Sequence, residues 1–260
     1  MQEKTITGDY HTHTRASDGH NLIEDNVAYA KERKLNTLAI TDHSFSNIIF
    51  HMTESKYEKQ SREIEKINAE GKIKVLHGIE ANILKDGKID VPENIICRLD
   101  VLNLGYHRLL QPHNWVGAFL FIFGNGAFPK FLRKKLASRN TAAYIKAIET
   151  YPIDTICHLN HRALVDTKVV CDYAFKHKIY IELNEKHIDT FEDDIDVAIA
   201  SGVDFVVGSD AHKCKNVGKF DKVLDFIVRH NIPLERVYGI NGKEPTFKDK
   251  SNWTNKNNKQ

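Results

Sequence analysis

The sequence predicts an α/β barrel, of seven strands on a count of its segments, and three observations carry that reading. Seven short segments rich in β-branched residues recur along the chain. Helical apolar patterns lie between them, giving a βα alternation. Side chains able to bind metal close nearly every strand-like segment. They are His11 and His13 in YHTHT, Asp18 or His20 in SDGH, His43 in ITDH, Glu80 in HGIEAN, His107 in GYH, His158 in ICH, and Asp210 and His212 in GSDAH. A barrel gathers side chains from many strands at its C-terminal face. An open doubly wound sheet would collect them from two or three strands.

Strands are expected at 5–11, 37–42, 73–80, 101–106, 155–158, 179–183 and 205–208. Cores such as TLAI and DFVVG suit strands buried on both faces. Helices are expected at 24–34, 55–70, 141–150, 167–176, 191–201 and 220–230. Gly202 after AIAS and Pro233 after the last helix are stop signals. The GIN segment ending near Asn241 is too short to read as an eighth strand. His11 and His13 are two apart and should share a face, as should Asp210 and His212. By the same parity Cys157 should point away from His158, as a small core residue.

Composition bounds the rest. A hydrophobic share of 41% beside 28% charged residues is that of a globular protein. The formal charge is +2, but 248–260 holds four Lys against one Asp, which leaves 1–247 at about −1. That argues against a strongly electrostatic nucleic-acid surface. The start lacks a signal-peptide pattern. No apolar run approaches the roughly 20 residues of a membrane span. Four scattered cysteines without a CxxC pair suggest free thiols in a reducing cytoplasm. The expected organisation is one barrel over 1–247, with an insertion at about 112–140, and a polar, disordered tail over 248–260. Oligomeric state is not legible.

Taken in order, HTHTRASDGH, AITDH, HGIEAN, GYH, ICH and GSDAH resemble the PHP (polymerase and histidinol phosphatase) family, over roughly residues 8–213. The resemblance is to its small stand-alone phosphoesterases. It implies a distorted (β/α)7 TIM-like barrel, two to three divalent ions (Zn, Mn or Fe) and phosphoester hydrolysis. It further implies that His11, His13, Glu80 and Asp210 hold one ion. Glu80 would bridge to a second ion held by His107 and His158, and Asp18 or His20 would join His43 and His212 on a third. Asp18 fits the family's S-D-G turn better than His20. Leu159 stands where the family usually has Pro, and His161 is a candidate substitute ligand. Glu80, Asp210 and His212 are the expected catalytic groups.

The chemistry needs such a cluster. A phosphate ester is anionic and repels hydroxide; metal ions neutralise its oxygens and acidify water. Nine ligands shared by three ions leave open positions, unlike a structural zinc site. Arg15, Arg108 and Arg162 each lie within four residues of a candidate ligand and are candidate phosphate binders. Asp9 is a candidate to orient a ligand imidazole, and His77 a candidate partner behind Glu80. Glu182 and Asn184 end the sixth strand and could fix water or substrate. His51, His113, His177, His187 and His230 read as surface or capping histidines.

From His107 to His158 there are 51 positions, against 24 to 37 between the other strand ends. The excess holds six aromatics between Trp115 and Phe131, then Arg133, Lys134 and Lys135. It reads as a buried helix pair, a lid, or a membrane-surface or partner helix. The expected function is hydrolysis of a small phosphomonoester. Alternatives are a phosphodiesterase or 3′–5′ exonuclease, an amidohydrolase and a non-catalytic scaffold. An amidohydrolase would not need His43, Glu80 or the D-x-H ending. A scaffold should have lost ligands.

Overall fold

Short β-branched runs become eight strands, all parallel and ordered as in the sequence: β1 (Gly8–Asp9), β2 (Thr37–Ile40), β3 (Lys74–Asn82), β4 (Val101–Gly105), β5 (Thr155–Ile156), β6 (Tyr180–Asn184), β7 (Phe205–Gly208) and β8 (Val237–Tyr238). The helices are α1 (Ile23–Glu32), α2 (Glu54–Ala69), α3 (Glu93–Ile96), α4 (Lys130–Thr150), α5 (Thr167–Lys176), α6 (Ile195–Ala200) and α7 (Asp221–Arg229). The computed structural model describes residues 4–46, 49–84, 86–107 and 130–254, with backbone alone for 130–134. The core of the insertion read from the sequence, and Arg108 and His113 with it, lies outside the described residues.

The sheet curls into a nearly closed barrel with helices around it. At the C-terminal end β1 and β7 meet directly: Tyr10 N donates to Val207 O at 3.2 Å, Asp210 N to His11 O at 2.8 Å and His13 N to Ala211 O at 3.0 Å. At the N-terminal end β8 fills the seam, with Val237 in register with Phe205 and Thr7 N donating to Gly239 O at 2.8 Å. A seven-strand count therefore describes the face that carries the ligands. The eighth strand is two residues long and has no apolar run to announce it.

Burial follows the pleat. Leu38 and Ile40 of β2 pack outward against Val27 and Ala30 of α1 and Ile64 and Ile67 of α2. Tyr10, Ala39, Leu76, Val101, Tyr180 and Val206 form a separate cluster against which Tyr238 and Phe247 pack. The segment beyond Phe247, expected as a polar, disordered tail, packs against the barrel as far as Trp253. Lys250 is fully buried, its Nζ 2.6 Å from Asp154 Oδ2, and the Trp253 ring lies tilted against Tyr151 with centroids 5.7 Å apart.

Other boundaries moved as well. The helix expected at 141–150 begins at Lys130, and the helix expected at 191–201 is a 3₁₀ turn, Ile188–Phe191, followed by the short α6.

Candidate metal centre

Six strands bring candidate ligands to one end of the barrel. His11 and His13 follow β1, His43 follows β2, Glu80 lies in β3, and His107 and His158 follow β4 and β5. Asp210 and His212 follow β7, and Asp18 comes from the connection between β1 and α1.

Glu80 sits at the centre. Its Oε1 is 2.7 Å from His158 Nε2 and 3.2 Å from His107 Nε2. Its Oε2 is 3.0 Å from His43 Nδ1, 3.5 Å from His11 Nε2 and 3.7 Å from His13 Nε2. Beside it, Asp18 Oδ2 is 3.1 Å from His212 Nε2 and 3.3 Å from His43 Nε2. Asp210 Oδ1 is 3.2 Å from His212 Nδ1 and 3.5 Å from His13 Nε2. Only glycine allows β4 to pass this close: a Cβ on Gly105 would stand 2.6 Å from Glu80 Oε1.

The donors fit metal ions. His13 Nδ1, His43 Nδ1 and Glu80 Oε2 are buried and make no well-directed hydrogen bond among the described residues, although His43 Nδ1 and Glu80 Oε2 lie 3.0 Å apart. Orphaned polar atoms are costly in a protein interior. His11 Nε2 and His13 Nε2 face each other at 3.1 Å, an approach at which one proton at most is shared. Three donor sets each bring their ligand atoms within 4.8 Å of one another: His13–Asp18–His43–His212, His11–His13–Glu80 and His43–Glu80–His107. Imidazole nitrogen with carboxylate oxygen is the donor chemistry of zinc, manganese and iron.

Electrostatics tells the same story. Burial opposes protonation of His43, yet Asp18 and Glu80 override it and lift its pKa to about 10. His212 is likewise lifted against burial, to about 9, by Asp18 and Asp210. His13 goes the other way, to about 4, under burial and the neighbouring His212. Glu80 and Asp210 stay ionised despite burial, because imidazoles surround them. Concentrated negative charge here is neutralised by protons, and a cation would compete for the same places.

An outer layer holds the ligands. Glu182 Oε1 is 2.7 Å from His11 Nδ1, and its Oε2 accepts from His158 N and Asn184 Nδ2, both at 2.9 Å. Asn82 Oδ1 is 2.6 Å from His107 Nδ1. Asp42 accepts from Thr14 N at 2.7 Å, Thr14 Oγ1 at 2.6 Å and Gln60 Nε2 at 2.6 Å, which pins the start of the turn carrying Asp18.

A cavity of about 120 Å³ opens over the cluster, lined among others by Tyr106, His161, Arg162, Lys186 and His187. Not every expected residue reaches it. His20 is exposed and joins none of the donor sets, whereas Asp18 does. Arg15 is exposed and spends its Nε on His20 O at 2.8 Å. Lys186 is not singled out by the sequence, which marks His187 as a surface or capping histidine. Lys186 Nζ is 3.2 Å from both Asp210 Oδ1 and His212 Nδ1, and His187 Nε2 is 3.6 Å from Asp210 Oδ2. His187 does cap the 3₁₀ turn Ile188–Phe191 through its backbone, but its ring stacks on His161, with centroids 3.7 Å apart, and lines the cavity. The available signal was position: the two residues lie two and three places past the end of β6, on the face where ligands collect.

Three expectations about neighbours are corrected. Cys157 does not turn away: it lies with His11 and Glu182, its sulfur within 4.8 Å of their donor atoms. His158 has φ +33°, which breaks the strand alternation and lets consecutive residues face inward. Among the described residues Asp9 touches no imidazole; it accepts from Ser209 N at 3.0 Å and Gly218 N at 2.8 Å, tying the first strand to the end of β7 and the loop beyond it. His77 stacks on Tyr57 with centroids 4.4 Å apart, away from Glu80.

Against known families, the PHP domain matches residues 9–235. The chain belongs to the PHP domain family. A relative from Caldanaerobacter subterraneus, the probable phosphatase TTE1963, is 32% identical over 246 residues, 88% of this PHP chain and 85% of the relative. The probable phosphatase YcdX of Shigella flexneri is 27% identical over 246 residues, 89% of each chain. Among solved structures, histidinol phosphate phosphatase from Lactococcus lactis, complexed with zinc, L-histidinol and phosphate, is similar with a TM-score of 0.62 at 15% identity. The match covers 94% of this chain and 98% of that one, and is a likeness of fold. With such relatives over most of its length, this PHP protein is a hydrolase of the phosphatase class.

Proposed function

We propose that the chain hydrolyses a small phosphomonoester at a centre of three divalent ions. The observation that carries the reading is Glu80, whose two oxygens face different sets of imidazoles beneath a small cavity. In this assignment His11, His13, Glu80 and Asp210 hold one ion, Glu80, His107 and His158 a second, and Asp18, His43 and His212 a third. Such ions supply charge neutralisation for phosphate oxygens and acidify water.

The chain's own cations complete the site. Lys186 and Arg162 line the cavity and would receive phosphate oxygens, Arg162 through its planar fork. Glu182 keeps the His11 Nδ1 proton, so that Nε2 presents its lone pair to the cluster. A cavity of about 120 Å³ suits a phosphoryl group better than a polymer. Four free cysteines support a reducing, cytoplasmic setting.

The test is hydrolysis of an aryl phosphate monoester against the corresponding diester, by protein reconstituted with zinc or manganese. Monoester turnover at least tenfold above diester turnover is expected. Preferential diester cleavage would move the assignment to a phosphodiesterase.

A further inference from the structure

Asp90 lies outside every donor set, yet it connects two of the candidate ligands. It follows a short hairpin in which Ile83 and Ile89 form an antiparallel bridge and Leu84 N donates to Lys88 O at 2.8 Å. Its Oδ1 accepts from Asn82 N at 2.8 Å and Ser44 Oγ at 2.5 Å. Its Oδ2 accepts from Asn82 Nδ2 at 2.6 Å, from Ser46 N at 3.0 Å and from Ser46 Oγ.

We infer that Asp90 is a positioning residue for the His43–Glu80–His107 donor set, acting through Asn82 on His107 and through Ser44 on His43. The inference rests on the metal-centre reading above. Every group around Asp90 is a donor, which an ionised carboxylate satisfies and an amide would not. Asn82 Nδ2 gives its hydrogens to Asp90 and, at 2.8 Å, to Ser44 Oγ. Asn82 Oδ1 must therefore face His107 Nδ1, 2.6 Å away. That contact places the ring proton on Nδ1 and leaves Nε2, 3.2 Å from Glu80 Oε1, with a free lone pair. Ser44 directly follows His43, and Asn82 lies two residues beyond Glu80 on β3, so one carboxylate braces three ligand-bearing segments.

Asp90→Asn tests this without changing size. Removing an outer partner of a metal-bound histidine costs 10–100-fold in metal affinity. Zinc titration of the metal-free full chain should show about that loss. Asp86→Asn, on the same hairpin and exposed, should bind zinc as the natural chain does. The decisive readout is the ¹⁵N signature of the His107 ring in metal-free protein, which should be Nδ1–H in the natural chain and mixed in Asp90→Asn. Unchanged zinc affinity and ring signature in a folded Asp90→Asn protein would overturn the inference. If that variant does not fold, an Nε2–H signature in the natural chain overturns it alone. Neither readout uses turnover, so failure here is distinguishable from failure of the phosphomonoesterase reading, which the ester comparison decides.

Discussion

Glu182 accepts a hydrogen bond from His11 Nδ1 at 2.7 Å, and both side chains are buried inside the barrel. Both oxygens of Glu182 act as acceptors, since Oε2 takes His158 N and Asn184 Nδ2. An amide would turn one donor against another. Glu182→Gln is therefore expected to weaken zinc binding by about 10–100-fold, the usual cost of an outer partner. Competition with a calibrated chelator measures it, and wild-type affinity would remove Glu182 from this role.

Glu80→Gln should be more damaging. The amide carries no charge, and its nitrogen is a donor facing sites that call for lone pairs. We expect kcat/KM on an aryl phosphate to fall by more than about 100-fold, with fewer ions bound per chain. His51→Ala, away from the cluster, should stay within about twofold. Full metal content and turnover in Glu80→Gln would disprove the bridge.

Removing metal should lower stability. Ions that bind only the folded chain add about 4 kcal/mol at a thousand times their Kd. For a chain of this size that corresponds to roughly 10 °C in Tm. Calorimetry before and after chelation, with zinc restored as a control, checks the shift. An unchanged Tm would mean that the site is held together without ions.

The C-terminal strap should matter for stability far from the chemistry. Lys250 Nζ is 2.6 Å from Asp154 Oδ2 and also donates to Lys248 O at 2.9 Å and Asp100 O at 3.1 Å. Leaving one partner of a buried pair alone costs about 3–5 kcal/mol. Lys250→Ala should unfold at correspondingly lower urea concentration, and an unchanged midpoint would count against the strap.

Lys248 offers a pH test at the same end of the barrel. Burial lowers its pKa from 10.5 to about 8, with Asp154 opposing and Lys250 assisting the shift. Between those values the unfolded chain binds more protons, so this group's contribution makes stability rise with pH from about 8 to 10.5. Below pH 8 the group is protonated in both states and its contribution is flat. Unfolding midpoints of Lys248→Met should lack this rise, and parallel profiles for the two proteins would refute it.

Much of the site was legible because a barrel maps strand order onto one rim. HTH, TDH, GIE, GYH, ICH and SDAH could be placed at strand ends from local pattern alone, and hydrophobic runs bounded by turn residues located the strands. Tertiary structure decided what depends on contacts across the barrel. The sequence offers both His20 and Asp18, with the S-D-G turn favouring Asp18, and it is the barrel that brings Asp18 to His43 and His212. Cys157 faces His11 because His158 adopts a positive φ that no periodicity records. Lys186 and His187 enter the cavity from the connection after β6, where position at the ligand-bearing rim is the sole sign and residue pattern adds none. Lys250 is buried because Asp154, 96 residues earlier in the chain, supplies its counter-charge. Local sequence specifies which residue types sit at each strand end. Which of them touch is set by barrel closure, since the distances that matter join segments far apart along the chain.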